Sequence, residues 1–270
     1  MKRKFYDIVV VGAGVAGMTA ALYAKRANKT VLVLEEKMQG GQIVSTVSIA
    51  NWPGEPGISG RELSEKIYHQ ANESGVEFEY DKVIAVGQGE EFLSVNDAAE
   101  ETRKVFIVKT ESEEYSCGAI IIATGTEPRK LSEKQTREAG KRQISYCATC
   151  DGALYKDKPV VVVGSGNTAK HEIKYLSNIA SKVYHIHHDD PIPEDAVGIF
   201  VAIGRVPNTG VFDGFVELDD DGYVKAGEDC ETSRPGVFVA GDCRTKHVRQ
   251  LVTAAGDGAV AASAAVRYLG

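Results

Sequence analysis

FYDIVVVGAGVAG, residues 5–17, decides how the chain begins to fold, because a run of apolar residues leads directly into a glycine-rich turn. The apolar run at 5–11 is short and nearly continuous, which is typical of a parallel strand buried on both faces. A helical stretch, MTAALYAKRA at 18–27, and a second apolar run, TVLVLEE at 30–36, follow the turn. Together these segments predict a strand–helix–strand unit with its glycines at the edge of a sheet.

The turn has the G-x-G-x-x-G spacing of a dinucleotide-binding motif, with glycines at positions 12, 14 and 17. Such glycines permit a tight turn, close approach of a pyrophosphate and close helix packing, while the helix N-terminus favours negative charge. Glu35 ends the second strand, where a carboxylate can accept hydrogen bonds from a ribose diol. The combination predicts a dinucleotide site, and the alternative is a plain turn without a ligand.

A second unit of the same kind begins near residue 159. PVVVVGSGNTAKHEIKYLSNIASKVYHIHH at 159–188 repeats the order of strand, glycine turn, helix and strand, and sheet-like segments of the first type resume after 204. The sequence therefore predicts an α/β protein with two Rossmann-like nucleotide-binding domains, the second inserted in the first and truncated. The first would contain residues 1–125 and 205–270, and the second residues 126–204.

The remaining periodic segments predict the other elements. Helical patterns occur at 61–74 and 132–139, and an alanine-rich helix is expected from about 249 to 268. Strands are predicted at 76–95, 103–109, 117–125, 197–204, 222–226 and 236–240.

Composition and charge argue against several classes of protein. The 270 residues include 31 basic and 38 acidic side chains, a formal net charge of −7, so there is no basic field to attract nucleic acid. Runs of about 18 apolar residues are absent from the sequence, so no membrane span is expected. The N-terminal apolar stretch is too short for a signal peptide, and a cytoplasmic location is expected.

Five cysteines are present, which is not the even set of a secreted disulfide framework. Two of them stand in CATCD at 147–151. This spacing suits a redox-active disulfide with a lowered thiol pKa, or half of a structural zinc site, which needs four ligands. Cys117, Cys230 and Cys243 form no second pair of this spacing, which favours the redox interpretation. Asp151 is a candidate to shuttle the proton that thiol–disulfide exchange requires.

Three further segments favour FAD over NAD as the dinucleotide. GGQ at 40–42 follows the acidic residue closely, ATG at 123–125 ends a buried strand, and GD at 241–242 precedes the last helix. Each alone is typical of a turn, but together they resemble the FAD-binding scaffold of flavoproteins with two dinucleotide domains. The last helix, which RQ at 249–250 opens, would direct its N-terminus towards the flavin, where negative charge gathers on reduction.

The chain as a whole resembles the low-molecular-weight bacterial thioredoxin reductases. The resemblance extends along nearly the whole chain in family order, and CATCDG is its most specific motif. The motifs are GAGVAG (12–17), GGQ (40–42), NWPG (51–54), ATG (123–125), CATCDG (147–152), GSGNTA (164–169), FVAIGRVPNTGVF (200–212), GVFVAGD (236–242) and RQLVTAAGDGAVAA (249–262). The resemblance implies a homodimeric flavoenzyme that binds FAD and reduces thioredoxin.

The resemblance also implies roles for individual residues. Cys150 would face the flavin, Cys147 would attack the thioredoxin disulfide, and Asp151 would be the acid/base. The other cysteines are expected to be inert, although Cys243 follows the Gly-Asp pair that would contact the flavin. FAD would lie against Gly12, Gly14, Ala16, Gly17, Glu35, Gly40, Gly41, Gln42, Thr46, Asn51, Val83, Ala123, Thr124, Gly125, Gly241, Asp242, Arg249, Gln250 and Leu251.

The second domain departs from this family in two ways. Roughly half of its nucleotide-binding fold is absent, because the chain passes from the strand before His188 almost directly to the strand at 197–204. Where NADPH-dependent members carry arginines for the 2′-phosphate, this chain has HHDD at 187–190, and no Arg or Lys lies between 183 and 204. Two carboxylates would repel that phosphate. The glycine turn at 164–169 is then interpreted as a packing turn rather than a working nucleotide site.

Another donor must then reduce the flavin. Flavin accepts single electrons, and the resemblance extends to a branch of the family that takes them from ferredoxin. Ferredoxins are acidic, so a basic docking surface is expected, the alternative for each candidate being an ordinary solvated face. The first candidate surface is Arg244, Lys246, His247 and Arg249; the second is Arg129, Lys130, Lys134, Arg137, Lys141 and Arg142.

The sequence thus favours a ferredoxin-dependent thioredoxin reductase. One alternative is an NAD(P)H-dependent thioredoxin reductase with a minimal nucleotide domain. The other is a flavoprotein redox sensor that has lost catalysis. The expected partners are thioredoxin, ferredoxin and a second copy of the chain, with no nucleic acid, membrane or metal.

Overall fold

The computed structural model describes residues 3–95 and 99–270, with side chains outside 91–102. The chain divides into unit 1, which contains Met1–Thr126 and Pro207–Gly270, and unit 2, which contains Glu127–Val206. In sequence, unit 2 is therefore inserted between the two parts of unit 1. Each unit has a β-sheet with helices beside it, so the predicted α/β class is confirmed.

The elements follow the order expected for alternating strands and helices. The strands are β1 (Lys4–Val11), β2 (Val31–Glu35), β3 (Glu77–Tyr80), β4 (Val83–Val95), β5 (Ala99–Thr110), β6 (Glu114–Ile122), β7 (Thr126–Pro128), β8 (Gln143–Ser145), β9 (Pro159–Val163), β10 (Lys182–Ile186), β11 (Gly198–Val201), β12 (Arg205–Pro207) and β13 (Val237–Val239). The helices are α1 (Val15–Arg26), α2 (Gly60–Glu73), α3 (Glu133–Ala139), α4 (Ala148–Asp151), α5 (Asn167–Leu176) and α6 (Leu251–Leu269).

Unit 1 is built on a mixed sheet in the order β3-β2-β1-β6-β5-β4, with β13 beside β6. Strand β1 is parallel to β2 and β6, whereas β4 and β5 form an antiparallel hairpin. Because successive residues of a strand point to opposite faces, β1 is buried on both. Ile8 and Val10 pack in a cluster with residues of α1 and α6, while Val9 and Val11 pack on the other face, with Phe212.

Helix α1 begins earlier than the sequence predicted. Its N-cap is Gly14, and Val15, Ala16 and Gly17 form its first turn, so the helix starts inside the glycine motif rather than after it. Apolar residues of α1 and α6 then pack together on one face of the sheet. This arrangement brings the glycine motif directly to the edge of the sheet where β1 ends.

Unit 2 has a smaller sheet of parallel strands in the order β10-β9-β11-β8. The valines of β9 alternate between two cores. Val161 and Val163 pack in a cluster that includes Leu131, which precedes α3, and Ala139, the last residue of α3. Val160 and Val162 pack in a cluster with residues of α4 and α5. The sheet of unit 2 is thus covered on both faces.

The connection from β10 to β11 runs without a helix and is held by side chains from α3 and the segment after it. Gln135 Nε2 donates to two carbonyl oxygens of the turn at 187–190, at 3.1 and 3.0 Å. Glu138 Oε2 accepts from a backbone N–H at 192 (3.0 Å), and Arg142 Nη1 donates to a carbonyl oxygen at 193 (2.8 Å). These three side chains, which we call the α3 brace, satisfy polar backbone groups that a helix would otherwise satisfy itself.

The strand predicted at 222–226 is wrong. Val224 makes only isolated bridges, to Leu218 and Arg244. The reason lies in Asp219, whose Oδ1 accepts from the N–H groups of Asp221 (3.0 Å) and Tyr223 (2.8 Å). A carboxylate that takes up nearby amides in this way favours a turn over a ladder.

No helix within residues 3–95 and 99–270 combines the length and the apolar character that crossing a membrane requires.

The packing of α6 on α1 gives a test with an internal control. A Cβ on Gly258 would lie 2.3 Å from Ala16 O, whereas a Cβ on Gly256, in the same helix, would meet no atom within 4 Å. We expect Gly258→Ala to lower the free energy of unfolding by about 1–3 kcal/mol through overpacking. Gly256→Ala should raise it by about 0.5–1 kcal/mol through helix propensity. Urea unfolding of the two variants checks this; equal effects would contradict the close α1–α6 contact.

Candidate functional site

The turn between β1 and α1 presents an uncapped helix N-terminus. Gly12 has φ +109°, which favours glycine, and no side chain caps α1 at Gly14. A Cβ on Gly14 would meet no atom within 4 Å, so the backbone here borders open space. The first turn of α1 also contains no acidic residue. A helix N-terminus of this kind favours an anion such as a pyrophosphate.

The other members of the motif are determined by close packing. A Cβ on Gly17 would lie 1.9 Å from Gly12 O, and a Cβ on Gly12 would lie 2.4 Å from Ala123 O. Ala16 is nearly buried, and a Cβ on Gly241 would approach its Cβ to 2.9 Å. The predicted residues Gly12, Ala16, Gly17, Ala123 and Gly241 are therefore brought together in three dimensions.

Glu35 connects the end of β2 to the glycine turn. Its Oε2 accepts from Ala13 N at 2.8 Å, and its Oε1 accepts from Lys37 N at 3.1 Å. Gly40 joins the same turn, because its N–H donates to Ala13 O at 2.8 Å. A Cβ on Gly41 would lie 3.5 Å from Gly14 Cα. Glu35, which is predicted to bind a ribose, therefore also holds the glycine turn between β1 and α1 in position.

The more distant members of the predicted set also lie in unit 1. Gln42 Nε2 donates to Thr126 O at 2.7 Å, and Asn51 Nδ2 donates to Gln250 Oε1 at 3.0 Å. Thr46 O accepts from a backbone N–H at the start of α2. The remaining positions are Thr124 and Gly125 after β6, Leu251 at the start of α6, and Val83 at the start of β4, shortly after the partner of Glu35 in β3.

The Gly241-Asp242 segment is anchored by a buried ion cluster that the sequence analysis missed. Asp257, on α6, accepts from Gly241 N (3.0 Å), from Arg244 Nε (3.0 Å) and Nη2 (2.9 Å), and from Lys246 Nζ (2.7 Å). Side-chain exposure is 10% for Asp257, 4% for Arg244 and 6% for Lys246. The three residues form what we call the Asp257 cluster, which holds the turn carrying Asp242.

The Asp257 cluster keeps its carboxylate ionised. Burial by itself would raise the pKa of Asp257, but the hydrogen bonds from Arg244 and Lys246 outweigh burial, and the pKa lies below the ordinary value. The ionised carboxylate, which also accepts from Gly241 N, anchors the Gly241-Asp242 segment.

One predicted ferredoxin surface is wrong for two of its four residues. Arg244 and Lys246 are buried with Asp257, so they present no charge to a partner. Arg249 lies over the Tyr223 ring, 4.3 Å from its centroid, and donates to Asp242 O at 3.3 Å. In the sequence these residues looked like a cationic run beside the flavin segment, but the fold turns Arg244 and Lys246 inward and leaves His247 exposed.

The cysteine motif, residues 147–151, forms a short loop in unit 2, which we call the redox loop. Cys147 and Cys150 are joined by a disulfide, with their Cα atoms 5.3 Å apart. Cys147 is the N-cap of α4, and its carbonyl oxygen accepts from Cys150 N (3.2 Å) and Asp151 N (3.1 Å). Both cysteines are partly exposed, as a disulfide that exchanges with a partner must be.

Ser145 positions the predicted acid/base, which the sequence analysis did not anticipate. The buried Ser145 hydroxyl donates to Asp151 Oδ2 at 2.6 Å and accepts from Cys147 N at 3.2 Å. Asp151 is thereby held on the redox loop in a fixed position. A small polar residue shortly before the first cysteine was the available sequence signal.

Glu172 is a second carboxyl beside the redox loop that the sequence analysis missed. Its Oε1 accepts from Ala148 N, between the two cysteines, at 3.3 Å. Burial raises the pKa of Glu172 to about 7, against smaller opposing effects of the Ala148 N–H and the Arg205 charge. The signal was helical periodicity, because Glu172 falls between the buried Ala169 and Leu176 on one stripe of α5.

The three other cysteines are buried. Burial raises the pKa of Cys230 to about 12 and that of Cys243 to about 11. A thiol with such a pKa holds almost no thiolate at neutral pH, so neither is a ready nucleophile.

Known proteins agree with this arrangement. The sequence profile of the pyridine nucleotide-disulphide oxidoreductases matches residues 6–198 and 187–258. A thioredoxin reductase from Bacillus subtilis (strain 168) is 34% identical over 316 aligned positions, which cover 99% of this chain and 96% of the relative. The chain belongs to the thioredoxin reductase family. The alignment is longer than the 270-residue chain, so the relative carries residues that this thioredoxin reductase family member lacks.

Solved structures of the thioredoxin reductase family support the fold. The thioredoxin reductase of Streptococcus pyogenes MGAS5005 has a TM-score of 0.85, 31% identity and coverage of 99% of both chains. A ferredoxin-flavin thioredoxin reductase from Clostridium acetobutylicum has a TM-score of 0.59, 27% identity and coverage of 98% of both chains. The predicted FAD/NAD(P)-binding, Rossmann-like architecture is confirmed.

FAD is the cofactor of the thioredoxin reductase family, as the sequence predicted. The described residues suit it. The uncapped N-terminus of α1 and the open space at Gly14 suit a pyrophosphate, and the Glu35 carboxylate suits a ribose.

The Asp257 cluster predicts a large and pH-dependent loss of stability. Asp257→Asn leaves Arg244 and Lys246 buried without a countercharge, and we expect the free energy of unfolding to fall by about 3–5 kcal/mol at pH 7. The depressed pKa means that the stabilisation is present at neutral pH and is lost as pH falls below the ordinary carboxyl range.

Urea unfolding at pH 7 and in acid, with bound flavin measured by fluorescence, checks this prediction. Glu217→Gln is the matched control, because Glu217 forms an exposed pair with Lys225 at 3.9 Å and should change stability by less than about 1 kcal/mol. A loss in Asp257→Asn no larger than in this control would show that the buried cluster is unimportant.

Proposed function

We propose that this member of the thioredoxin reductase family takes electrons from reduced ferredoxin rather than from NADPH. Electrons would pass through FAD, bound at the predicted residues of unit 1, to the Cys147–Cys150 disulfide and then to thioredoxin. We further propose that it acts as a cytoplasmic homodimer, as its resemblance to the family implies.

The observation that carries the donor is the turn after β10. Its carboxylates, at Asp189 and Asp190, occupy the sequence positions where the resemblance to NADPH-dependent members implies arginines for the 2′-phosphate. Asp190 Oδ2 accepts from His187 N at 2.8 Å, which closes the turn on itself. A hydrogen bond from Ser132, together with His188, lowers the pKa of Asp189, so this carboxylate is negative at neutral pH. Negative charge here opposes NADPH binding.

A nearby cation only partly offsets this charge. Lys134, on α3, donates to Asp189 O at 3.3 Å, but its ammonium also lies 4.0 Å from Glu138. The family profile matches in two segments, and these overlap at the same place, residues 187–198. Loss of the cations and loss of chain length thus coincide at the part of unit 2 that a pyridine nucleotide would need.

Two further observations fit a protein donor. One solved relative, at 27% identity, is itself described as a ferredoxin-flavin thioredoxin reductase. Unit 2 also keeps exposed cations of the second predicted surface, namely Arg129, Lys130, Lys134, Arg137 and Lys141. Arg142, from the same predicted surface, instead belongs to the α3 brace. Exposed cations suit an acidic partner and would make its binding sensitive to salt.

The redox loop determines the chemical steps by which electrons pass from FAD to thioredoxin. FAD, when bound, accepts electrons singly or in pairs and can supply two to a disulfide. Reduction breaks the Cys147–Cys150 bond, and the Cys147 thiolate then attacks the thioredoxin disulfide to form a mixed disulfide. The Cys150 thiolate displaces thioredoxin as its dithiol and restores the loop disulfide. Asp151, held by Ser145, would deliver protons to the departing thiolates.

An NAD(P)H-dependent reaction is the second candidate, because unit 2 keeps the first part of a nucleotide-binding fold. Gly164 has φ +144°, and Gly166 is an uncapped N-cap of α5 with open space where a Cβ would lie. Relatives at 31% to 35% identity are also described simply as thioredoxin reductases.

Anaerobic titration of the flavin separates these donors. We expect reduced ferredoxin to bleach the flavin absorbance rapidly, while NADPH and NADH at the same electron equivalents leave it oxidised. Raising the salt concentration should slow reduction by ferredoxin, because the proposed encounter is between opposite charges. Dithionite serves as the control that the flavin is reducible. Rapid bleaching by NADPH or NADH would instead establish the second candidate.

Two serine variants test the order of the cysteines. After chemical reduction, Cys150→Ser should accumulate more mixed disulfide between Cys147 and oxidised thioredoxin than the wild type does, because the thiolate that completes the exchange is gone and only thioredoxin's own thiolate can reverse the attack. Cys147→Ser should trap little, and both variants should lose thioredoxin reduction. Non-reducing electrophoresis with mass spectrometry checks this. The opposite trapping pattern would reverse the roles, and thioredoxin reduction by both variants would favour a different redox centre.

A further inference from the structure

Glu172 is placed by α5 directly beneath the redox loop. Ala169, Ile173 and Leu176, on the same stripe of the helix, pack in the core cluster that also contains Ala148 of the loop. Glu172 therefore stands among apolar residues, where a polar side chain is costly. The periodicity of α5 directs Glu172 towards this core, whereas Lys170 and Lys174, on the same helix, are exposed.

The two oxygens of Glu172 have different surroundings. Oε1 accepts from the backbone N–H of Ala148 at 3.3 Å, and that N–H belongs to the residue directly after Cys147. Oε2 is buried and has no hydrogen-bond partner among the described residues. A neutral carboxyl can keep the bond to Ala148, whereas an ionised one would leave a desolvated charge on Oε2.

The charges around Glu172 do not replace that missing partner. The charge of Arg205 favours ionisation but is outweighed by burial, and the pKa of Glu172 is raised to about 7. The redox loop contributes Asp151 and the two cysteines. Tyr155, just after the loop, has a buried hydroxyl with no hydrogen-bond partner in the described part of the chain, and burial together with Asp151 raises its pKa, so it stays neutral. On α5 itself, His171 is exposed.

We propose that Glu172 is a proton-holding positioning residue of the redox loop, which binds a proton from solvent when the Cys147–Cys150 disulfide is reduced. This inference rests on the proposed role of that disulfide and is independent of the donor. It adds a second carboxyl, on a different element from Asp151, to the chemistry of the loop.

The charge balance of the reduction gives the physical reason. Two electrons enter the disulfide, the S–S bond breaks, and negative charge appears on sulfur. An ionised carboxylate beside Ala148 would repel this charge at short range and low dielectric. Binding of one proton by Glu172 removes the repulsion, so the reduced loop holds that proton more firmly than the oxidised loop does. Reduction is then coupled to proton uptake at and above neutral pH.

The experiment measures the disulfide alone. The full-length flavoprotein is equilibrated in glutathione redox buffers from about pH 6 to about pH 9, and the Cys147–Cys150 pair is quantified by alkylation and mass spectrometry. Above pH 7, the equilibrium constant for reduction of the pair should fall about tenfold more per pH unit in the wild type than in Glu172→Gln. For two electrons, this difference corresponds to about 30 mV per pH unit. Glutamine keeps an acceptor for Ala148 N but cannot bind the proton.

Glu133→Gln is the matched control, since its carboxyl lies in the same unit, is 95% exposed and should leave the wild-type profile unchanged. Parallel profiles for wild type and Glu172→Gln would overturn the inference. If the Cys147–Cys150 pair shows no redox transition in the wild type or in either variant, the proposed redox role of the disulfide is itself contradicted. These two failures are distinguishable.

A measurement on the wild type covers the case in which Glu172→Gln does not fold. Infrared difference spectra between the oxidised and reduced enzyme above neutral pH should show the C=O stretch of a newly protonated carboxyl. The same band should persist in Asp151→Asn, which removes the other carboxyl of the loop. Absence of the band in the wild type, or its loss in Asp151→Asn, would overturn the assignment to Glu172.

Discussion

Unit 1 depends on the closeness with which the first turn of α1 approaches the ends of β1 and β6. No side chain fits between Gly17 and Gly12, or between Gly12 and Ala123, so the helix N-terminus lies against the edge of the sheet. Ala16 is small enough to admit Gly241 and Gly258 from the C-terminal part of the chain. Residues far apart in sequence thereby meet at the helix end, where oriented amides favour an anion.

Local signals in the sequence were sufficient for much of this. The glycine turns, the CATC loop and the last helix were predictable because each is determined by neighbouring residues. The Asp257 cluster was not, because it requires knowing that a loop packs its cations against a helix. The same residues looked like an exposed basic surface. Glu172 was predictable in principle from the stripe of α5, but the charges beside it in sequence, Lys170 and His171, obscured that stripe.

The two missed carboxyls show opposite answers to the same physical cost. Burial opposes the ionisation of both. Asp257 is surrounded by a guanidinium, an ammonium and a backbone N–H, which outweigh burial, so it stays charged and anchors a turn. Glu172 has one backbone N–H and an oxygen with no hydrogen-bond partner among the described residues, so burial prevails and raises its pKa to about 7. Hydrogen-bond number, rather than depth, separates a structural ion from a titratable acid.

The α3 brace has a consequence for how shortened relatives can be recognised. A strand connection that has lost its helix still has backbone N–H and C=O groups to satisfy, and here an amide, a carboxylate and a guanidinium do so from Gln135, Glu138 and Arg142. The short connection from β10 to β11 therefore depends on side chains that belong to a different part of unit 2. In this chain the spacing Q-x-x-E-x-x-x-R, just before the CATC motif, supplies the backbone partners that a helix would have made unnecessary.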